Sequence, residues 1–317
     1  MMGDRSEYEF RSEYEFIINP KARSGMGEMV WNMLEPELKK RRITYRVYLT
    51  KRRNHAQKIA AAVTADGREH LLVVLGGDGT VNEVINGISC IDKTVIGYIP
   101  IGSSNDFARG LGIAKDPKKA LDAVLNPKKV IPLDVGEMIR AGHARRFAVS
   151  SGIGFDAAVC HEVCVSPWKV FLNWLGLGKL SYAVVALDRL MKDRPVKMEV
   201  ALPDGSRKVF EKTYFAAFMN LQYEGGGFRF CPEAKPDDGL LDILVVHDIP
   251  VLKILCLLPT AFAGKHVGFK GVTILRCSGA EVQTSRPLPL HMDGEPGFPR
   301  DGVSVGIREE KLRVIVG

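Results

Sequence analysis

Residues 73–88 read VVLGGDGTVNEVINGI, and three different kinds of physics meet in them. Leu71 to Leu75 is a short apolar run of the kind that forms a buried strand. Gly76-Gly77-Asp78-Gly79 is a turn, and Val81, Val84, Ile85 and Ile88 then fall at i, i+3, i+4 and i+7, one face of a helix. A strand, a glycine turn and a helix start aim free backbone N–H groups and a helix dipole at an anion. The glycines let a phosphate approach the backbone without a Cβ in the way. The lysine that a P-loop places after its glycines is absent. Thr80 and Glu83 also have the spacing of a capping box, so part of the motif can be read as simply starting a helix.

Two further polar loops follow buried strands. Asn19-Pro20-Lys21-Ala22-Arg23-Ser24-Gly25 comes after Tyr14–Ile18, and Gly102-Ser103-Ser104-Asn105-Asp106 comes after Val95–Pro100. Helical spacing is expected over 27–40, where Pro36 would kink or restart the helix, and over 56–64 and 105–112; residues 46–49 read as a strand. Strands alternating with helices predict a parallel sheet covered on both faces, with ligands at the carboxyl ends of its strands. All three loops would then converge on one crevice, and the first brings two cations, Lys21 and Arg23.

After about Val130 the texture changes. Residues 196–202, 210–219, 240–246, 273–277 and 303–307 read as strands separated by Gly, Pro and Asp turns, with one helical insert over 168–191. The fold expected is an α/β nucleotide domain with a three-layer parallel sheet over 14–132, then a mainly antiparallel, sandwich-like domain over 133–300. Residues 301–317 are expected to pack back on the first domain.

With 317 residues, 46% hydrophobic and 26% charged, the chain has the composition of a globular protein of two domains. Its net charge of +7 suggests an anionic partner, and no block of five like charges marks a nucleic-acid arm, so no nucleic acid is expected. The start, MMGDRSEYEF, has no apolar signal core, and six scattered cysteines suit a reducing cytoplasm. Cys160, His161 and Cys164 lack a second ligand pair, so small buried thiols are expected there rather than a metal. The apolar stretch Val251–Ala263 contains Lys253 and Pro259 and is too short to span a bilayer, so any membrane contact is from the side. RSEYEF occurs twice in tandem at the start and reads as a terminal extension.

The motifs INPKARSG, GGDGTVNEVINGI and IPIGSSNDFARGLGI, in this order, resemble the diacylglycerol kinase catalytic domain shared by bacterial lipid kinases and by sphingosine and ceramide kinases. PEAKPDDGLLDILVV and LHMDGEP extend the resemblance over nearly the whole chain. It implies ATP-dependent phosphorylation of a lipid hydroxyl between two domains, diacylglycerol to phosphatidic acid being the favoured reaction, and a role in phospholipid biosynthesis. Carried over by position, Asn19, Ser24, Gly25 and Thr50 would line the nucleotide site. Gly76, Gly77, Asp78, Gly79 and Thr80 would cradle its phosphates, with Glu83, Ser103 and Asn105 beside them. Asp293 matches the family's proton acceptor, with Glu295 close by and Asp78 where phosphates and acceptor meet. KPDDGLL resembles the bacterial magnesium loop, implying Asp238 and the carbonyls of Lys235 and Leu240. The implied cofactors are ATP and Mg2+, and the implied location is the inner face of the membrane, contacted peripherally; a homodimer is left open.

Other acceptors fit the same motifs: a sphingoid base, phosphatidylglycerol or, by analogy with NAD kinase, a soluble metabolite. A nicotinamide loop of T-x-S-T-A-Y type is missing. A regulator that kept the fold and lost catalysis is disfavoured by the intact Asp78, Asp238, Asp293 and Glu295. Alone, Asp293-Gly294-Glu295 would read as an exposed hairpin turn. Trp168, Phe171, Leu172, Trp174 and Leu175, flanked by Lys169 and Lys179, are read as core or as an acyl and bilayer contact.

Overall fold

The computed structural model describes residues 13–140, 142–155, 157 and 194–317. The expected helical insert, with its Trp168 cluster and Cys160 and Cys164, lies outside these residues.

Strand β1 (Tyr14–Ile18) is flanked by β2 (Tyr45–Leu49) and β3 (His70–Gly76), and β4 (Thr94–Pro100) follows, all parallel. Alternation along β1 and β3 divides the core. Phe16, Ile18, Val73 and Leu75 face α1 (Ala22–Lys40) and α5 (Pro117–Leu125), whereas Ile17, Leu72 and Val74 face α2 (His55–Val63) and α3 (Asp78–Gly87). Strand β4 is buried along its whole length, as a central parallel strand covered on both faces must be. Beyond it lie β15 (Leu312–Val316), parallel to β4, and β5 (Lys129–Leu133), antiparallel to β15. The short α4 (Asp106–Leu111) starts from the loop after β4.

The second sheet is antiparallel throughout. Its nine strands are β6 (Gly136–Arg140), β7 (His143–Phe147), β8 (Ser150–Gly154), β9 (Val196–Ala201), β10 (Arg207–Met219), β11 (Leu241–His247), β12 (Val272–Cys277), β13 (Gly279–Met292) and β14 (Glu295–Ile307). They run in the order β12-β11-β10-β8-β13-β14-β6-β7, with β9 bridging β10 and β13. Helix α6 (Val251–Ala261) packs Ile254 and Ala261 into the apolar cluster around Phe215, Phe230 and Leu244. The architecture is thus the α/β domain followed by a sandwich-like β domain.

Three local expectations need correction. The segment 301–317 does not act as one unit: residues through Ile307 complete β14 in the second sheet, and Leu312–Val316 alone returns to the first. Helix α1 passes through Pro36, and its break falls instead at Arg23, Ser24 and Gly25, which adopt φ of 45°, 59° and 93°. Helix α3 begins at Asp78 with extended Gly77 before it, so Thr80 and Glu83 form no capping box. Thr80 Oγ1 accepts from Asn19 Nδ2 at 3.2 Å, and Glu83 accepts the Asn54 and Ala56 N–H groups at 2.7 and 3.1 Å, capping α2.

Helices α2 and α3 touch through Gly87, where an added Cβ would collide with the Gln57 carbonyl and stand 2.9 Å from Ala60 Cβ. A collision with backbone cannot be relieved by a rotamer change. Gly87→Ala should therefore destabilise the fold by about 1–3 kcal/mol, read as a lowered denaturant midpoint at unchanged slope; an unchanged midpoint would show that the two helices are not locked at this point.

Candidate active site

A cleft of about 370 Å³ opens at the carboxyl ends of β1, β2 and β3. Asn19, Thr50, Gly77, Gly79, Thr80 and Glu83 line it, and so do five cations: Lys21, Arg23, Lys51, Arg52 and Arg53. Carboxylates in the wall are limited to Glu83 and Glu295. This excess of positive charge beside backbone amides is what a polyphosphate requires.

Each wall residue has a local cause. Asn19 accepts the Lys21 N–H through Oδ1 at 3.1 Å and ties the first loop to the glycine loop through Thr80. Thr50 N donates to Ile18 O at 2.8 Å, so the loop after β2 lies beside the loop after β1. The two domains meet at Gly79, where a Cβ would stand 2.8 Å from Glu295 Oε1, the movable end of that side chain. Glu295 in turn pairs with Arg53 Nη2 at 2.5 Å, closing one end of the cleft between the two sheets.

Other expected residues serve the frame. Asn105, at φ 51°, donates from Nδ2 to Gly102 O at 2.9 Å and holds that loop closed. Ser103 is exposed on the same turn. Ser24 and Gly25 form the left-handed turn that carries Arg23 into the wall. Gly76 is packed against Thr80, and its carbonyl accepts the Ile101 N–H at 2.8 Å.

Asp78 lies beneath the cleft and not in its wall. Its carboxylate accepts the Asp106 and Phe107 N–H groups, both at 3.2 Å, so it caps α4. Burial, reinforced by the nearby Asp106 carboxylate, pushes its carboxyl up to about 6. Asp106 is itself raised by burial, and its Oδ2 accepts the Gly226 N–H at 2.7 Å.

Asp293 sits at the tip of the β13–β14 hairpin, where Asp293 and Gly294 both have positive φ, 50° and 77°, as a two-residue type I′ turn demands. Its carboxylate is far from an exposed turn. Oδ1 accepts the Val149, Ser150 and Ala148 amides at 2.8, 3.0 and 3.2 Å. Oδ2 accepts Asn82 Nδ2 at 2.8 Å and Ala148 N at 2.9 Å. Burial raises the carboxyl's pKa while these N–H groups pull it down. The hairpin is braced from behind: buried His291 accepts the Gly294 N–H on Nδ1 at 3.3 Å and meets Glu224 Oε1 with Nε2 at 3.0 Å.

Asn82, Arg53, Asp106 and the Glu224–His291 pair were not singled out from the sequence. Asn82 stands within the glycine motif itself, fully buried, with Oδ1 accepting Arg145 Nη2 at 2.9 Å. A polar residue on a helix otherwise read by its apolar face was the available signal.

The KPDDG loop holds fewer charges than a dedicated metal cage. Asp238 Oδ1 accepts the Leu240 N–H at 3.1 Å, and among the described residues no three acidic, His or Cys side chains cluster as a metal centre. Buried Asp134 accepts the Gly239 N–H at 2.6 Å, and Lys311 Nζ lies 2.9 Å from its other oxygen while donating to Asp237 O at 2.7 Å. The donors Asp238 and the Lys235 and Leu240 carbonyls are all hard oxygens and suit magnesium in kind. Lys311 already supplies one positive charge to the same loop.

Residues 13–138 match the family model described as the diacylglycerol kinase catalytic domain, and residues 148–316 match the YegS C-terminal NAD kinase beta sandwich-like domain. The Bacillus subtilis protein YtlR is 33% identical over 90% of this chain and 93% of its own. A Bacillus subtilis diacylglycerol kinase is 30% identical over 80% of this chain and 78% of its own. A Bacillus anthracis structure titled as a diacylglycerol kinase superposes with TM-score 0.69 at 20% identity, covering 96% of this chain and 97% of that one. An ATP complex of an Archaeoglobus fulgidus NAD kinase shares the fold more distantly, with TM-score 0.54 at 10% identity over 95% and 93% of the two chains. The glycine loop at the foot of a cationic cleft, closed by an acidic hairpin from a second sheet, is therefore that of an ATP-dependent lipid kinase: the chain belongs to the diacylglycerol kinase catalytic-domain family.

Proposed function

We propose that the chain transfers the γ-phosphoryl group of ATP to the hydroxyl of diacylglycerol, giving phosphatidic acid, at the cytoplasmic surface of a membrane that it contacts peripherally. The observation that carries this reading is the seating of Glu295 over Gly79, which brings the Asp293 hairpin of the second sheet to the rim of the phosphate cleft. Phosphoryl transfer is mostly positioning and charge neutralisation. Gly77, Gly79 and Thr80 offer the backbone cradle; Lys21, Arg23 and Arg53 offset phosphate charge; Asn19 and Thr50 shape the wall. Magnesium bound with the nucleotide supplies further neutralisation of its phosphates.

A lipid alcohol is a poor nucleophile and needs a proton acceptor within reach. Asp293 is assigned that role, with the Asn82 amide as the N–H it exchanges for the hydroxyl. Asp78, ionising near 6, sets the charge beneath the phosphates and anchors α4. Asp238 with the Lys235 and Leu240 carbonyls would hold a structural magnesium in the loop that Asp134 anchors through the Gly239 N–H.

Labelled ATP offered with diacylglycerol, phosphatidylglycerol and a sphingoid base in mixed micelles, and separately with NAD, should place label on diacylglycerol; label on NAD would overturn the acceptor class. Asp293→Ala should cut kcat by roughly a hundredfold or more with ATP affinity little changed, the size expected for a lost general base; wild-type turnover would remove Asp293 from that role.

Asp78 gives a pH-dependent outcome. Its folded pKa of about 6 lies above the reference 3.8, so its contribution to stability is complete below about pH 4 and lost as pH rises through 6. Asp78→Asn should thus unfold later than wild type at pH 8, by about 2 kcal/mol, with the advantage shrinking toward pH 4 and with activity lost. Thermal unfolding across pH, alongside kcat, reads both. Magnesium titration of thermal stability without nucleotide tests the loop: wild type should gain a midpoint shift that Asp238→Asn lacks, and equal shifts in both would place the ion elsewhere.

A further inference from the structure

Helix α6 breaks the usual pattern of a surface helix. Its inner face is conventional, with Ile254 and Ala261 buried. Its outer face should be polar, yet Leu252, Cys256 and Pro259, spaced i, i+4 and i+7, are all exposed and none carries a charge. Leu252 is 73% exposed, and in the turn that follows Phe262, Val267 and Phe269 are 54, 43 and 44% exposed. Large apolar side chains exposed this close together along one helix and the turn after it point to a binding surface.

Along the segment itself the charge has one sign, the exposed Asp248 lying just before it. Between Asp248 and Glu281 the chain contains no acidic residue, while Lys253, Lys265 and Lys270 are exposed among the apolar side chains. An apolar face rimmed by lysines is complementary to a layer of acyl chains beneath anionic headgroups, where each lysine adds attraction to the surface potential. Helix α6 is too short and carries Lys253, so it would lie in the interface and not cross it; among the described residues no helix is long and apolar enough to cross.

The same surface is wired to the active site. Phe262 stacks on Phe228 at 4.1 Å, and Ala261 O accepts the Arg229 N–H at 2.9 Å. Phe228 closes the Glu224–Phe228 loop, whose Gly226 N–H binds Asp106 beside Asp78 and whose Glu224 braces the Asp293 hairpin through His291. A body seated on α6 is therefore one hydrogen-bonded loop away from the proposed phosphate site.

We infer that the outer face of α6 and the Phe262–Lys270 turn are the surface by which the protein docks on an anionic phospholipid bilayer, placing the interdomain site against the membrane that holds its acceptor. This rests on the lipid-acceptor reading above and adds the surface that delivers it. Two variants test it: Leu252→Asp with Phe269→Asp, and Lys253→Glu with Lys265→Glu and Lys270→Glu. All five positions are exposed, and thermal unfolding confirms that each variant folds. The probe is co-sedimentation with equimolar phosphatidylcholine and phosphatidylglycerol vesicles, with phosphatidylcholine alone for comparison.

Wild type should bind the mixed vesicles, more weakly at high salt, and each variant should lose about tenfold or more in apparent affinity. Both variants should still phosphorylate diacylglycerol in detergent micelles at the wild-type rate. Vesicle binding equal to wild type in both variants would overturn the inference, as would a wild type that labels micellar diacylglycerol yet sediments with neither vesicle. A variant that changes only self-association on size exclusion would overturn it in favour of a face between copies. Loss of vesicle binding in the variants, with no lipid labelled by wild type, would support the docking surface and refute the acceptor reading instead.

Discussion

The carboxylate of Asp293 is taken out of water at the junction of two sheets, and much of the site follows from where its hydrogen-bond partners come from. Three backbone amides, of Ala148, Val149 and Ser150, come from the start of β8 and the bend before it, and the fourth donor, Asn82, comes from α3 of the first domain. A buried carboxylate without such partners would be costly or would neutralise itself. The nest therefore fixes the hairpin tip with respect to α3, and α3 is the helix that follows the glycine loop. Glu295, two residues on, is thereby brought beside Gly79, where it pairs with Arg53.

Charge is sorted by depth around this junction. Cations from the loops after β1 and β2 face the open cleft, and the acids Asp78, Asp106, Glu224 and Asp293 lie beneath or behind it. Asp78 and Asp106 both have carboxyls raised by burial, so ionising them at neutral pH works against folding. A site that keeps them ionised near a phosphate trades stability for a fixed field, a common cost of catalytic pre-organisation.

Much of the first domain was legible because parallel strands and amphipathic helices leave regular periods: β3, α2 and β4 fall within a residue or two of their expected bounds. The second domain was less so. Strands β5, β8 and β13 carry interrupted alternation, broken by Pro132, Gly152 and Pro287, and β5 pairs with β15 and β8 with β10 and β13 across long stretches of chain. Among site residues, Asn19, Thr50, Gly77, Gly79, Thr80 and Glu83 line one wall; loop position after a strand pointed to Asn19 and the glycines, whereas Thr50 and Glu83 entered as site residues only through the family resemblance. What local reading missed is direction. Glu83 turns to cap α2, Asp78 turns under the loop to cap α4, and Asn82 crosses to the other domain; each outcome depends on a partner distant in sequence. The arginine pairing with Glu295 was equally invisible, because 242 residues separate it from Arg53.

The 2.8 Å hydrogen bond from Asn82 Nδ2 to Asp293 Oδ2 joins the two domains, and the pair is expected to act as one unit. A double-mutant cycle on kcat/KM with Asn82→Ala and Asp293→Ala measures their coupling. If the pair is one unit, the double variant will be no worse than Asp293→Ala alone, because each single change already removes one side of the shared hydrogen bond. Losses that simply add in the double variant would show that the two residues contribute independently, and would contradict the account.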